Sequence, residues 1–223
     1  ASLDRLLHRR KVVRMVNLGG TSTVTHSLTG WFPSFSNRQF GAGKSTVSKH
    51  LAEKLNAKLL TTPGAGFKEV RKQLDTVFEH NTKARQLFYM ATVLNVASEA
   101  QRLIDSGQHV VVDRYWLSTQ VYHHWMNNGQ CYTLDEIESE LLAPDLTVYL
   151  DLSVDERIAR INNRNHCTLE DRQTLTEQAN DELRGLYVDM CGGKPVGDWL
   201  IIDASKSVDL ITDEILSSLC HTD

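Results

Sequence analysis

Residues 12–20 read Val-Val-Arg-Met-Val-Asn-Leu-Gly-Gly, and residues 40–46 read Phe-Gly-Ala-Gly-Lys-Ser-Thr. Placed end to end they give Gly19-Gly20-Phe40-Gly41-Ala42-Gly43-Lys44-Ser45. That is the phosphate-binding pattern G-x-x-x-x-G-K-[ST], set between an apolar strand and an amphipathic helix. In the chain as it stands the pattern is broken. Counting back from Gly43, the first glycine position holds Arg38, and the Phe-Pro-Ser-Phe-Ser-Asn run before it suits a loop rather than a central strand. No other feature restricts the fold as strongly, because the loop needs a buried strand to deliver it to a helix N-terminus.

Residues 21–39 therefore read as an insert in an otherwise regular loop. A connection of that length with no structure of its own is unusual at such a place. Two origins fit: a true insertion, or non-coding sequence read as coding. We favour the second, since Gln39 can be encoded by CAG, a common intron ending. Transcripts spanning residues 15–45 decide between them.

The chemistry of the restored loop follows from its residue types. Backbone N–H groups of Gly41, Ala42, Gly43, Lys44 and Ser45 would surround a β-phosphate at the positive end of a helix, with Gly19 opening the turn and Thr46 in the first helical turn. Lys44 would reach the β- and γ-phosphates, and the Ser45 hydroxyl would bind Mg²⁺. Taken without its strand, Gly-Lys-Ser is only a glycine-rich turn before a helix. A second stretch, Val-Val-Val-Asp-Arg-Tyr-Trp (110–116), ends an apolar run on Asp113 and Arg114. Asp113 suits Mg²⁺ or its water, and Arg114 can hold a second phosphate through two parallel hydrogen bonds. Alone, the pair reads equally well as a helix cap and a surface ion pair.

Strand and helix patterns alternate through the rest of the chain. Apolar runs at 11–18, 58–62, 109–113, 146–152 and 199–203 predict strands. Helical spacing appears at 45–57, 67–80, 82–107, 153–164 and 207–219, with Ser153 as an N-cap. The order β-α-β-α-α-β-α-β-α-β-α predicts an α/β fold, a parallel five-stranded sheet flanked by helices. Composition agrees: 41% hydrophobic and 23% charged residues suit one globular domain over 1–223. A net charge of −4 argues against a nucleic-acid surface, and no apolar run is long enough for a membrane span. The cysteines, Cys131, Cys167, Cys191 and Cys220, lack metal-site spacing and read as free thiols. Arg5, Arg9, Arg10, Lys11 and Arg14 against Asp4 read as a basic lead-in to the first strand or as the remnant of a mitochondrial transit peptide. The expected location is accordingly cytoplasmic or mitochondrial.

With these motifs in order, the chain resembles the thymidylate kinase family of nucleoside monophosphate kinases from Gly41 to about Leu219. Asp-Arg-Tyr-Trp-Leu-Ser-Thr-Gln-Val-Tyr (113–122) is similar to that family's DR[YH]-x-x-S-x-x-A-[YF] segment. Thr-Thr-Pro-Gly-Ala-Gly (61–66) sits at its "REPGGT" turn, Leu-Phe-Tyr-Met-Ala (87–91) at its "FYAAR" segment, and residues 141–164 at its "PDLTLYLDV" stretch. Residues 113–119, Ala143–Leu146 and 201–205 also resemble the mitochondrial UMP–CMP kinase of thymidylate-kinase-like type. The resemblance implies a three-layer P-loop kinase fold and transfer from ATP, with Mg²⁺, to a (deoxy)nucleoside monophosphate. The first reading is dTMP to dTDP, and the alternative is a UMP or CMP acceptor (or dUMP or dCMP). By position it implies Phe88 stacking on the acceptor base, Thr119 and Gln120 near the base edge, and Tyr122 against the sugar. Pro63 lies in the acceptor turn and Arg114 on the acceptor phosphate. Arg160, Arg164 and Arg172 fall in a lid at 160–175, and Ser205 beside the donor adenine. The implied partners are small nucleotides and, as in other family members, a second copy of the chain.

Several positions depart from the family pattern. Phe40 replaces an acid, Thr92 replaces the base-reading arginine, and Thr61-Thr62 replace Arg-Glu, for which Arg71 is a candidate substitute. Two further readings compete. A deoxynucleoside kinase would need a general base after the second strand, where this chain offers Thr61 and Thr62. A pseudokinase would bind no ATP because of the insert.

Overall fold

A computed structural model describes residues 12–17, 43–127, 129–130, 132, 135–163, 174–193 and 195–220. The basic N-terminal stretch, Gly19, the insert at 21–39, Gly41, Ala42, Arg164 and Arg172 lie outside the described residues. The elements in chain order are β1 (Val12–Asn17), α1 (Lys44–Leu55), β2 (Lys58–Thr61), α2 (Lys68–Val77), α3 (Thr82–Asp105), β3 (Val110–Asp113), α4 (Trp116–Met126), α5 (Asp135–Glu140), β4 (Leu146–Asp151), α6 (Val154–Asn162), α7 (Glu177–Met190), β5 (Asp198–Asp203) and α8 (Val208–Leu219). A short 3₁₀ turn, Ala65–Phe67, precedes α2.

The strands lie in the order β2-β3-β1-β4-β5, and every neighbouring pair is parallel. β1 is central and pairs Met15 with Asp113 of β3 and with Val148 of β4. Pleating sends alternate side chains to opposite faces. Val111, Leu146, Val148, Leu150 and Ile202 pack against α1 and α8. On the other face Leu60, Val110 and Val112 meet α3, while Tyr149 meets α4 and α7. β3 is buried at all four positions, which is why its sequence is continuously apolar up to Asp113. Removing one such valine or leucine side chain from water is worth about 1.5–3 kcal/mol, so the sheet supplies much of the stability.

Most expected elements are present with shifted ends, and two were not anticipated. The sequence order allows one helix between β4 and β5, whereas the chain forms α6 and α7 there. α7 starts on a Thr176 cap whose hydroxyl accepts from the Ala179 N–H, with Glu177 in its first turn. The short α5 also stands between α4 and β4, and it buries no residue. Cap signals carry through elsewhere: Ser153 accepts from the Glu156 N–H at 3.3 Å and donates to its carboxylate at 2.8 Å. All five strands end on one edge of the sheet, where open α/β sheets bind their ligands.

Candidate active site

Gly43 is the N-cap of α1 and adopts φ +84°, a left-handed conformation that costs an L side chain about 1–2 kcal/mol. Its carbonyl accepts the Val47 N–H at 2.9 Å, which starts the helix. The first turn of α1 carries no acidic residue of its own. Lys44 is 5% exposed, whereas Ser45 and Thr46 are open to solvent.

Ser45 Oγ donates to Asp113 Oδ2 at 2.8 Å, across 68 residues of sequence. Asp113 is 7% exposed, and its other oxygen has no hydrogen-bond partner among the described residues. A buried carboxylate oxygen beside a hydroxyl is a hard oxygen pair that suits Mg²⁺. Among the described residues no three His, Cys, Asp or Glu side chains are grouped for a metal.

The ends of β2 and β3 are stitched together beside this pair. Arg114 stands at φ +74°, rare for a residue with a side chain, and its carbonyl accepts from Thr62 Oγ1 at 2.9 Å. The Thr62 N–H donates to the Asp113 carbonyl at 3.3 Å. Thr62 thus fixes the Asp113–Arg114 corner. Pro63 follows through a cis peptide and is half-buried.

Arg160, near the end of α6, reaches both Gly43 and the loop after β5. Its Nη2 donates to the Ala204 carbonyl at 2.8 Å, and its Nη1 lies 3.8 Å from where a Cβ on Gly43 would stand. One guanidinium therefore spans from the end of the phosphate loop to the loop after β5. Ser205 is exposed there, and its N–H donates to Asp203 at 2.9 Å. The hydrogen bonds from Ser205, then the nearby Lys206 and Arg160, hold the Asp203 carboxyl below the usual range.

Opposite these groups, α2, α3 and α4 line a second region. Phe88 is half-buried and stands edge-on to Phe67 at 6.2 Å and to Tyr89 at 5.4 Å. Tyr122 is buried and packs edge-on to Trp125 at 6.4 Å. Thr119 gives its hydroxyl to the Tyr115 carbonyl at 3.3 Å. Gln120 lies in the α3–α4 seam, where its carboxamide oxygen accepts from Gln86 at 3.1 Å. Gln86 in turn holds both backbone groups of Tyr132. Thr92 spends its hydroxyl on the Tyr89 carbonyl of its own helix at 2.7 Å. Arg71 is 8% exposed, and its Nε finds no hydrogen-bond partner among the described residues.

Sequence reasoning passed over Asp75, Arg85, Tyr89, His123 and Arg157. Asp75 receives the Tyr89 hydroxyl at 3.2 and 3.3 Å. Burial raises the Tyr89 phenol well above its ordinary pKa, with the Asp75 charge adding to the shift. Burial, with the Arg85 charge behind it, lowers His123 to about 3. Arg157 is 1% exposed and gives hydrogen bonds to the Thr174 carbonyl and hydroxyl and to Asn180. The available signal was polar pairs at four-residue spacing: Arg71 with Asp75 on α2, and Arg85 with Tyr89 on α3.

The sequence profile described as thymidylate kinase matches residues 41–215. A probable thymidylate kinase of Methanococcus maripaludis is 30% identical over 191 residues, covering 80% of this chain and 90% of the relative. The thymidylate kinase of Blochmanniella pennsylvanica is 25% identical over 195 residues, covering 80% and 90%. Among solved structures, deoxyadenosine kinase from M. mycoides with bound dATP aligns with TM-score 0.55 at 18% identity, covering 93% of this chain and 98% of that one. The same enzyme with dCMP and dCDP aligns at 0.56, again at 18% identity, over 94% and 99%. These structural likenesses speak for an α/β nucleoside kinase fold.

Proposed function

The chain belongs to the thymidylate kinase family and is a nucleoside monophosphate kinase, and from that premise we propose that it transfers the γ-phosphoryl group of ATP to dTMP, giving ADP and dTDP. The observation that carries this reading is the Ser45–Asp113 contact at the N-terminus of α1, with the Arg160 guanidinium between Gly43 and Ala204.

In this reading residues 1–223 form one kinase domain around a parallel five-stranded sheet, with residues 21–39 interrupting the phosphate loop and a lid at 160–175. Gly19, Gly41, Ala42 and Gly43 with Lys44, Ser45 and Thr46 hold the donor phosphates, and Ser205 lies beside the adenine. Lys44, Arg114, Arg160, Arg164 and Arg172 neutralise charge on the transferring group. Little covalent work falls to the protein, so positioning and charge stabilisation carry the rate. When bound, Mg²⁺ held by Ser45 and Asp113 would offset phosphate charge. On the acceptor side, Phe88 stacks on the base, Tyr122 lies against the sugar, Pro63 shapes the turn, Arg71 faces the monophosphate, and Thr119 lies near the base edge. Gln120 acts through the α3–α4 seam. The chain works with small nucleotides and pairs with a second copy of itself.

A UMP or CMP acceptor is the second reading, favoured by Thr92, which stands in place of the family's base-reading arginine and whose hydroxyl bonds to its own helix. The deciding experiment measures transfer from ATP to dTMP, dUMP, UMP and CMP, with and without residues 21–39. Transfer to dTMP above the others is expected. Preference for UMP or CMP selects the second reading, and inactivity of both forms on all four acceptors overturns the assignment.

A further inference from the structure

Next to Phe88 lies a buried group of charges of which the roles above use only Arg71. Phe67, Arg71 and Asp75 follow at four-residue intervals on and just before α2. Arg85 and Tyr89 do the same on α3. The connection at 78–81 folds these helices together, so that Phe67 meets Phe88 and Asp75 receives the Tyr89 hydroxyl. Asp75 is 4% and Arg85 5% exposed, as buried as the hydrophobic core around them.

The charges in this group do not balance. Of its buried charged side chains, Arg71, Arg85 and Asp75, only one is a carboxylate. Asp75 draws on Arg85, and Arg71 acts on the same Tyr89 hydroxyl. His123, whose ring stands 5.7 Å from Tyr89, stays neutral because burial and Arg85 both oppose its protonation. One positive charge is thus left over among the described side chains of the group, and Arg71 Nε lacks a hydrogen-bond partner. A surplus buried charge is costly unless an anion meets it.

We propose that Arg85 is a positioning residue: it occupies the Asp75 carboxylate and so leaves the Arg71 guanidinium for the monophosphate of the acceptor. The proposal rests on reading the Phe88 region as the acceptor site. It adds that the acceptor must be anionic, since a neutral nucleoside would leave the surplus charge unmet. Without Arg85, Asp75 would turn to Arg71, and the group would become neutral and indifferent to phosphate.

The test is equilibrium binding to the full chain, by calorimetry, of dTMP against thymidine and of UMP against uridine. The wild type is expected to prefer the better-bound monophosphate over its nucleoside by about tenfold or more. Arg85→Gln should bring that preference close to unity while ATP affinity stays within about twofold. Asp75→Asn alone should keep or raise it. The double variant, with Arg71 again unopposed, should recover it, a non-additive pattern that a merely structural role would not produce. The proposal is overturned if the wild type shows no preference, if Arg85→Gln retains it, or if the double variant is as poor as Arg85→Gln. Loss of the preference in Asp75→Asn also overturns it, and that variant decides the matter should Arg85→Gln fail to fold. A chain with the expected binding pattern but no phosphoryl transfer supports this proposal and counts against the catalytic reading instead.

Discussion

At the residue scale, Asp113 joins the two halves of the candidate site. Its carboxylate is buried and takes the Ser45 hydroxyl on one oxygen, while the other has no hydrogen-bond partner among the described residues. Asp113→Asn preserves shape and removes the charge. It is expected to lower kcat by on the order of 10²-fold, with the folded state retained by circular dichroism. His123 gives a second residue-scale expectation. Its ordinary pKa is 6.5 and its buried value about 3, so the unfolded chain binds this proton more readily. The stability it contributes is complete above pH 6.5 and is lost as the pH falls from 6.5 toward 3. The slope is at most about 1.4 kcal/mol per pH unit. Urea unfolding at pH 7 and pH 4 should show a smaller loss for His123→Gln than for the wild type. Equal losses would remove His123 from the account.

Elements carry the next set of expectations. α6 begins on Ser153, whose hydroxyl accepts from the Glu156 N–H and donates to the Glu156 carboxylate. Ser153→Ala should cost about 1 kcal/mol, read as a lower Tm. Because α6 also presents Arg160 to Ala204, the same variant should weaken ATP binding more than acceptor binding. The entry to β5 depends on Gly197, at φ +70°, where an added Cβ would run into the Pro144 carbonyl. Gly197→Ala should separate the β4 and β5 starts and destabilise the fold by about 2 kcal/mol or more, measured by denaturant midpoint. The elements most legible in the sequence were those with an unbroken apolar run, such as β3, or one clear helical period, such as α6. α7 was missed because the stretch around it reads as a charged, lid-like segment. Its packing face, Leu183 and Tyr187, is recognisable only against Tyr149 of the distant β4.

For the whole molecule, the parallel order β2-β3-β1-β4-β5 gathers Thr61, Asp113, Asp151 and Asp203 at the strand ends along one edge. α1, the Asp113–Arg114 corner and Arg160 all converge there. No helix among the described residues is long and apolar enough to cross a membrane. Chelation of divalent ions should abolish transfer without unfolding the chain, as judged by circular dichroism, because the sheet and its two helical layers are held by apolar burial.

The sequence by itself determined the α/β alternation, the helix start at Gly43, Lys44 and Ser45, the Asp113–Arg114 corner and the Ser153 cap. Each of these is a local pattern: a period, a cap, or a residue type at the end of a buried run. The tertiary structure alone decided which distant groups meet. Ser45 finds Asp113, Arg160 finds Ala204, Gln120 is taken by Gln86, and Asp75 faces Tyr89. The reason is physical. Local spacing sets the face on which a side chain lies, but packing between helices and sheet sets what that face meets, and burial then fixes which charges must be balanced.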